Sequence, residues 1–200
     1  TNNCAFGQGT LQTNITGTDN SAFGTLALRD NTGLANSAVG YASMLTNTSG
    51  ANNVAMGVSS LRVNTTGAQN TALGTSALYS NTTASNNTAV GYQAGYANTT
   101  GSDNVSMGRQ ALQNNTTGVQ NTALGNYALV DNTTASYLTA VGYQALDANT
   151  TGPAVTAVGV SALGTNTTGG YSVAFGGSAL FSSTTGNYNA SVGFQSGYSS

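Results

Sequence analysis

Large apolar and small residues alternate along this chain in a phrase that returns at a fixed interval. A glycine closes each copy, at Gly7, Gly24, Gly40, Gly57, Gly74, Gly91, Gly108, Gly125, Gly142, Gly159, Gly176 and Gly193, and successive glycines lie 17 residues apart except for one interval of 16 between Gly24 and Gly40. The period defines the structural unit, so it takes precedence over any local propensity. The residue before each glycine is large and apolar: Phe6, Phe23, Val39, Met56, Leu73, Val90, Met107, Leu124, Val141, Val158, Phe175 and Val192. The residue before that is Ala or Ser, so the phrase alternates as a short strand with two unlike faces does. Four residues after the glycine a second apolar ladder runs through Leu11, Leu28, Met44, Leu61, Leu78, Leu112, Leu129, Leu146, Leu163 and Leu180, with Gly95 and Gly197 as its two gaps.

A 17-residue unit is too short for a helical hairpin, whose repeats run to about 33 residues or more, and suits one coil of a β-solenoid. The expected fold is all-β, a single array of 12 coils over residues 1–200 with two short strands per coil. The large residue before each glycine is expected to point into the core, and the alanine before it to lie on the other face. The recurrent glycine predicts a corner with positive φ or a close backbone approach. The Asn-Thr-Thr-Gly tail, as at Asn98–Gly101, is the turn, because the one deletion falls there, leaving Asn31-Thr32-Gly33; its Asn can bond the backbone through its side chain. At the two gaps a tyrosine follows at once, Tyr96 and Tyr198, and its ring is expected to fill the vacated space. One coil alone cannot offset roughly 1–2 kcal/mol of backbone entropy per residue. Stacking at about 4.8 Å per coil must supply the difference, in a rod on the order of 55–60 Å long. The Ala and Gly positions predict a smooth, small-residue face suited to a second chain.

Composition narrows the function classes. Charged residues make up 4% of the chain, against roughly 25% in ordinary soluble proteins, so Asn, Thr, Ser and Gly carry its hydration. Arg29, Arg62 and Arg109 stand against Asp19, Asp30, Asp103, Asp131 and Asp147, for a net charge of −2. Without a basic patch, nucleic-acid binding lacks its main source of energy. There is no His and one cysteine, Cys4, which argues against disulfide frameworks and the usual metal-ligand sets. With no Lys or Glu either, and no aspartate recurring at a fixed repeat position, no catalytic centre and no cofactor are expected. No apolar run approaches the roughly 18 residues of a membrane span, so this segment is not expected to insert in a bilayer. The chain starts and stops inside repeat phrases, and is expected to be an excerpt of a longer fibrous polypeptide.

The phrase Asn-Thr-Ala-Val-Gly-Tyr-Gln-Ala, at Asn87–Ala94 and again from Thr139 to Leu146, resembles the head repeats of YadA-like trimeric autotransporter adhesins. It is closer still to the repeat arrays of phage tail-fibre proteins and related bacterial surface proteins. The resemblance implies a left-handed parallel β-roll, three chains around a common axis, and a structural or adhesive role outside the cell or on a virion. The adhesin unit is shorter, and the difference lies in the Asn-Thr-Thr-Gly turn.

Two sets of residues are candidates for surface chemistry. Asn14, Asn47, Asn64, Asn81, Asn98, Asn115, Asn132, Asn149 and Asn166 each open an Asn-x-Thr/Ser phrase at the same turn position, which would place a stripe of N-linked sugars along the rod; the simpler reading is that Asn and Thr serve the turn itself. Tyr41, Tyr92 and Tyr143 follow the corner glycine and could stack on the sugar rings of a host-surface glycan, or else pack at the rim between coils or chains. An ice-binding solenoid is the rival from another class, but it needs flat ranks of threonine, and the paired threonines here are adjacent and lie in a turn. The sequence therefore points to a passive shaft or head segment of a homotrimeric fibre, with a glycan-binding adhesin head as the nearer alternative.

Overall fold

The computed structural model describes residues 2–198. Each coil contributes one three-residue strand: β1 (Cys4–Phe6), β2 (Ser21–Phe23), β3 (Ser37–Val39), β4 (Val54–Met56), β5 (Thr71–Leu73), β6 (Thr88–Val90), β7 (Val105–Met107), β8 (Thr122–Leu124), β9 (Thr139–Val141), β10 (Thr156–Val158), β11 (Val173–Phe175) and β12 (Ala190–Val192). Sequential strands pair in parallel to make one 12-stranded sheet in chain order. The register never slips, as in Thr71↔Thr88, Ala72↔Ala89 and Leu73↔Val90. It survives the short coil, where Ser21 still opposes Ser37 and Asn31 keeps its place beneath Asn47. The deletion is absorbed in the tail, as expected.

The faces of the strand are the reverse of those expected. The central residue of each inner strand, an alanine from Ala22 to Ala174 except for Ser106 in β7, is buried, while Val39, Met56, Met107 and Phe175 are exposed and Val90, Leu124 and Val141 are half-buried. The large residues lie on the outside of the sheet. The space inside a 17-residue coil is narrow, and it is already taken by leucine side chains and two files of asparagine. Only a methyl or hydroxymethyl fits at the strand centre. For the same reason the alanines do not form an outer face among the described residues: those three residues after the glycine, Ala77, Ala94, Ala128 and Ala145, are also fully buried.

The leucine ladder is buried as expected, but it forms no second strand. Leu61, Leu78, Leu112 and Leu146 have φ between 49 and 53°, and the residues two before them, Ser59, Ser76, Gln110 and Gln144, are left-handed as well, at 54 to 57°. Two left-handed residues separated by one other wind the chain inward, which a strand cannot do. A left-handed L-residue costs roughly 1–2 kcal/mol, which full burial of a leucine at about 1.5–3 kcal/mol offsets. Backbone bonds between coils continue here, with the Leu61 N–H donating to the Ala77 carbonyl at 2.9 Å and that of Gln93 to Thr75 at 3.0 Å.

The corner glycine behaves as its recurrence predicts. Gly91 and Gly142 have φ of 137 and 134°, and a Cβ on either would sit 2.7 Å from the carbonyl carbon of the corresponding glycine in the next coil. Tyr96 and Tyr198, in contrast, do not fill the gaps in the leucine ladder. They stay outside, stacked on Tyr79 at 5.1 Å and on Phe181 at 5.3 Å. Leu78 occupies the space instead, its Cδ2 3.0 Å from where a Gly95 Cβ would be.

Candidate functional surfaces

Two files of buried asparagine form a polar spine beside the leucines. In the tail file, the Asn64 side-chain amide donates to the Gly67 carbonyl of its own turn at 2.9 Å and to Asn47 Oδ1 of the preceding coil at 2.6 Å. Asn81, Asn98, Asn115 and Asn132 repeat the pattern with inter-coil bonds of 2.8 to 3.0 Å. The second file, Asn20, Asn36, Asn53, Asn70, Asn87, Asn104 and Asn121, immediately precedes the strands. There the Asn70 backbone N–H donates to Asn53 Oδ1 at 2.9 Å, and the Asn53 amide donates to the Gly67 carbonyl at 2.9 Å. The sequence reading did not assign this second file a role, although its recurrence four residues before the glycine was visible. It ends where Leu138 and Val155 take its place among the buried apolar side chains.

The spine determines where the sequence candidates lie. Asn14 is half-buried, and the other eight Asn-x-Thr/Ser asparagines, Asn47 through Asn166, are buried. Both hydrogens of each of those eight side-chain amides are engaged, so an N-linked sugar at any of them would require giving up one bond of the spine. In the turn, the first threonine of each pair from Thr65 to Thr167 has its hydroxyl committed, Thr99 to the Thr116 carbonyl at 2.9 Å and Thr116 to Thr133 at 3.0 Å. The second, such as Thr100 or Thr117, faces solvent.

Tyr41, Tyr92 and Tyr143 occupy one position in every third coil, and about half of each side chain is exposed. The structure does not bring them together. Three coil spacings put them about 14 Å apart along the axis. Tyr143 meets Tyr127 edge-on at 6.1 Å, and the Arg109 guanidinium lies 5.4 Å from the centre of the Tyr127 ring.

The outer face of the sheet carries a continuous file of large apolar side chains. The apolar file from Phe6 to Val192 runs its full length, flanked by Ser, Thr or Val at most first strand positions. Phe23, Val39, Met56, Met107 and Phe175 in it are 38 to 54% exposed. Large contiguous apolar patches are uncommon on monomeric proteins and mark interaction surfaces.

Charge is sparse and local. Arg29 and Asp30 form an ion pair at 2.5 Å, and the Arg29 hydrogen bond holds the Asp30 carboxyl below its usual value. Burial raises the Asp147 carboxyl above its usual value, Asp131 adds to the shift, and a backbone bond at Ala148 opposes it. Among the described residues no three His, Cys, Asp or Glu side chains converge as a metal site would require, and no helix is long and apolar enough to cross a membrane. No family model, curated protein or solved structure matches the chain.

Proposed function

We propose that this chain is a structural shaft or head segment of an extracellular or virion fibre, of the tail-fibre or surface-adhesin kind, in which three copies wind as left-handed β-rolls and pack their outer sheet faces around a common axis. The observation that carries this reading is the continuous apolar file on the outside of a parallel sheet. A second copy of the same chain is the partner it suits, because a file with one apolar residue per coil matches itself at every level when chains lie parallel and in register. The asparagine spine and the nearly uncharged surface support the mechanical part of the reading, since the same order is repeated coil by coil. The segment sets length and stiffness and leaves its turns facing outward. A second reading, adhesion to a glycan through Tyr41, Tyr92 and Tyr143, is favoured by their half-exposed rings in a single line.

Distances between spin labels test the assembly. In a Cys4→Ser background, nitroxides placed at Leu124→Cys should lie within contact range of their counterparts on other chains, and those at Thr117→Cys should be much farther apart. Equal distances at the two positions, or no interchain coupling, would remove the shared axis.

A further inference from the structure

The turn edge holds an aromatic ladder with one rung missing. Two residues before the first residue of each strand lies a left-handed position that the C-terminal coils fill with Tyr137, Ala154, Tyr171 and Tyr188. All four share φ between 54 and 65°, so their Cα–Cβ bonds leave the backbone in the same direction. Their register is fixed by one chain of backbone bonds: Ala154 N–H to the Ser136 carbonyl at 3.1 Å, Tyr171 to Pro153 at 3.0 Å and Tyr188 to Gly170 at 3.2 Å.

Tyr171 and Tyr188 stack with ring centroids 5.4 Å apart and planes 11° from parallel. Stacking between successive coils turns the ring faces along the rod axis, so one face of Tyr171 is covered by Tyr188 and the other looks toward Ala154. A methyl group cannot cover it. The next residue in the file is Tyr137, 63% exposed and, among the described residues, without a stacking partner. Two coil spacings separate Tyr137 from Tyr171, roughly 10 Å. A flat ring placed over Ala154 would meet Tyr171 at about the spacing Tyr171 already keeps with Tyr188, with Tyr137 one coil spacing farther on.

No other aromatic file in the described residues has this form. The free face of Tyr79 is covered by the Arg62 guanidinium, 5.8 Å from the ring centre, and Phe181 abuts Gly164 with Asp147 beyond it. Tyr41, Tyr92 and Tyr143 are three coils apart, too far for one ring to bridge.

We propose that Tyr137, Ala154 and Tyr171 form a binding slot for a single hexopyranose unit, its apolar ring faces held between the two tyrosines. Pro153 and Ala154 make a floor without a long side chain, and the exposed hydroxyls of Thr151 and Thr168 on the same turns are available to the sugar hydroxyls. The slot is open to solvent, which suits terminal sugars on a surface and weak, millimolar binding. It lies on the turn edge, away from the sheet face, so it depends on neither the oligomeric state nor the line of tyrosines that begins at Tyr41.

The test is a backbone-amide NMR titration of the 200-residue chain with methyl β-D-galactopyranoside, methyl β-D-glucopyranoside and, as a flat-ring control, phenol. At least one glycoside should shift the amides of Tyr137, Ala154 and Tyr171 saturably. Tyr137→Ala and Tyr171→Ala should each weaken it roughly tenfold. Ala154→Tyr, which supplies the missing rung in a backbone conformation its neighbours already hold as tyrosine, should abolish binding while preserving the melting temperature. No saturable shift with either glycoside, shifts confined to Tyr41, Tyr92 and Tyr143, undiminished binding by Ala154→Tyr, or saturation by phenol alone would each overturn the proposal.

Discussion

Replacing Asn98 with alanine removes one rung of the buried spine. The Asn98 amide donates to the Gly101 carbonyl at 2.9 Å and to Asn81 Oδ1 at 3.0 Å, and its own oxygen accepts from Asn115 at 2.9 Å. The Gly101 carbonyl retains the bond from Asn87 at 2.9 Å, so it is not orphaned. Asn81 Oδ1 is buried and loses its donor, and Asn115 retains only its bond to Gly118. Three bonds at about 1 kcal/mol each, with some excess for the orphaned oxygen, give an expected loss of about 3–4 kcal/mol. Thr100→Ala, two residues away, removes a solvent-facing hydroxyl and should change stability by less than about 0.5 kcal/mol. Urea unfolding followed by circular dichroism gives the totals. Amide hydrogen exchange should show the Asn98 loss concentrated in the adjoining coils, because each coil contacts only its neighbours. If the two variants unfold at the same urea concentration, the spine is not what holds the coils together.

Gly142→Val should be worse than any turn change, since φ of 134° and the Gly159 carbonyl oxygen of the next coil 2.5 Å from the new Cβ combine strain on the order of 1–3 kcal/mol with a clash; a melting temperature equal to that of Thr100→Ala would contradict this. Ser183→Asn should stabilise, because Asn166 Oδ1 is buried without a partner where the tail file stops, and one restored bond of about 1 kcal/mol corresponds to a rise in melting temperature of about 2–4 °C, read by calorimetry. Asp147→Asn should stabilise at neutral pH and have little effect in strong acid. A carboxyl whose folded pKa is raised is neutral in both states below its unfolded value, and it weakens the fold increasingly as pH rises through the unfolded and then the folded value. Melting curves of the two proteins that stay parallel from pH 3 to pH 7 would refute the assignment.

The period, the corner glycine, the turn and its tolerance of a deletion were legible in the sequence because each is a matter of recurrence. The sidedness of the strand was not, because small-large alternation over three residues fits either phase, and residue size suggested the wrong one. Comparison among the copies holds the missing signal. The strand centre is Ala or Ser in all 12 copies, as a confined interior requires, while the next position ranges from Val to Phe. The absence of a second strand has a signal of the same kind: the ladder from Leu11 to Leu180 never contains Val, Ile or Thr, the residues a strand favours and a left-handed backbone excludes. The second asparagine file was harder to interpret, since Asn before a strand is commonly a turn residue, and its burial follows only once coils are stacked. The slot at Ala154 depends on which residues lie two coils apart, and on a stacking geometry between Tyr171 and Tyr188 that the sequence does not reveal.

The most direct test of the outward apolar file as an assembly surface is the native mass of the intact protein beside that of Val90→Lys/Leu124→Lys. Both substitutions lie on the outer face, so the coil should keep its β-type circular dichroism. The account predicts three chain masses for the parent protein and one for the variant. A parent protein of one chain mass at micromolar concentration, with the same circular dichroism, would leave the solenoid standing and contradict the fibre.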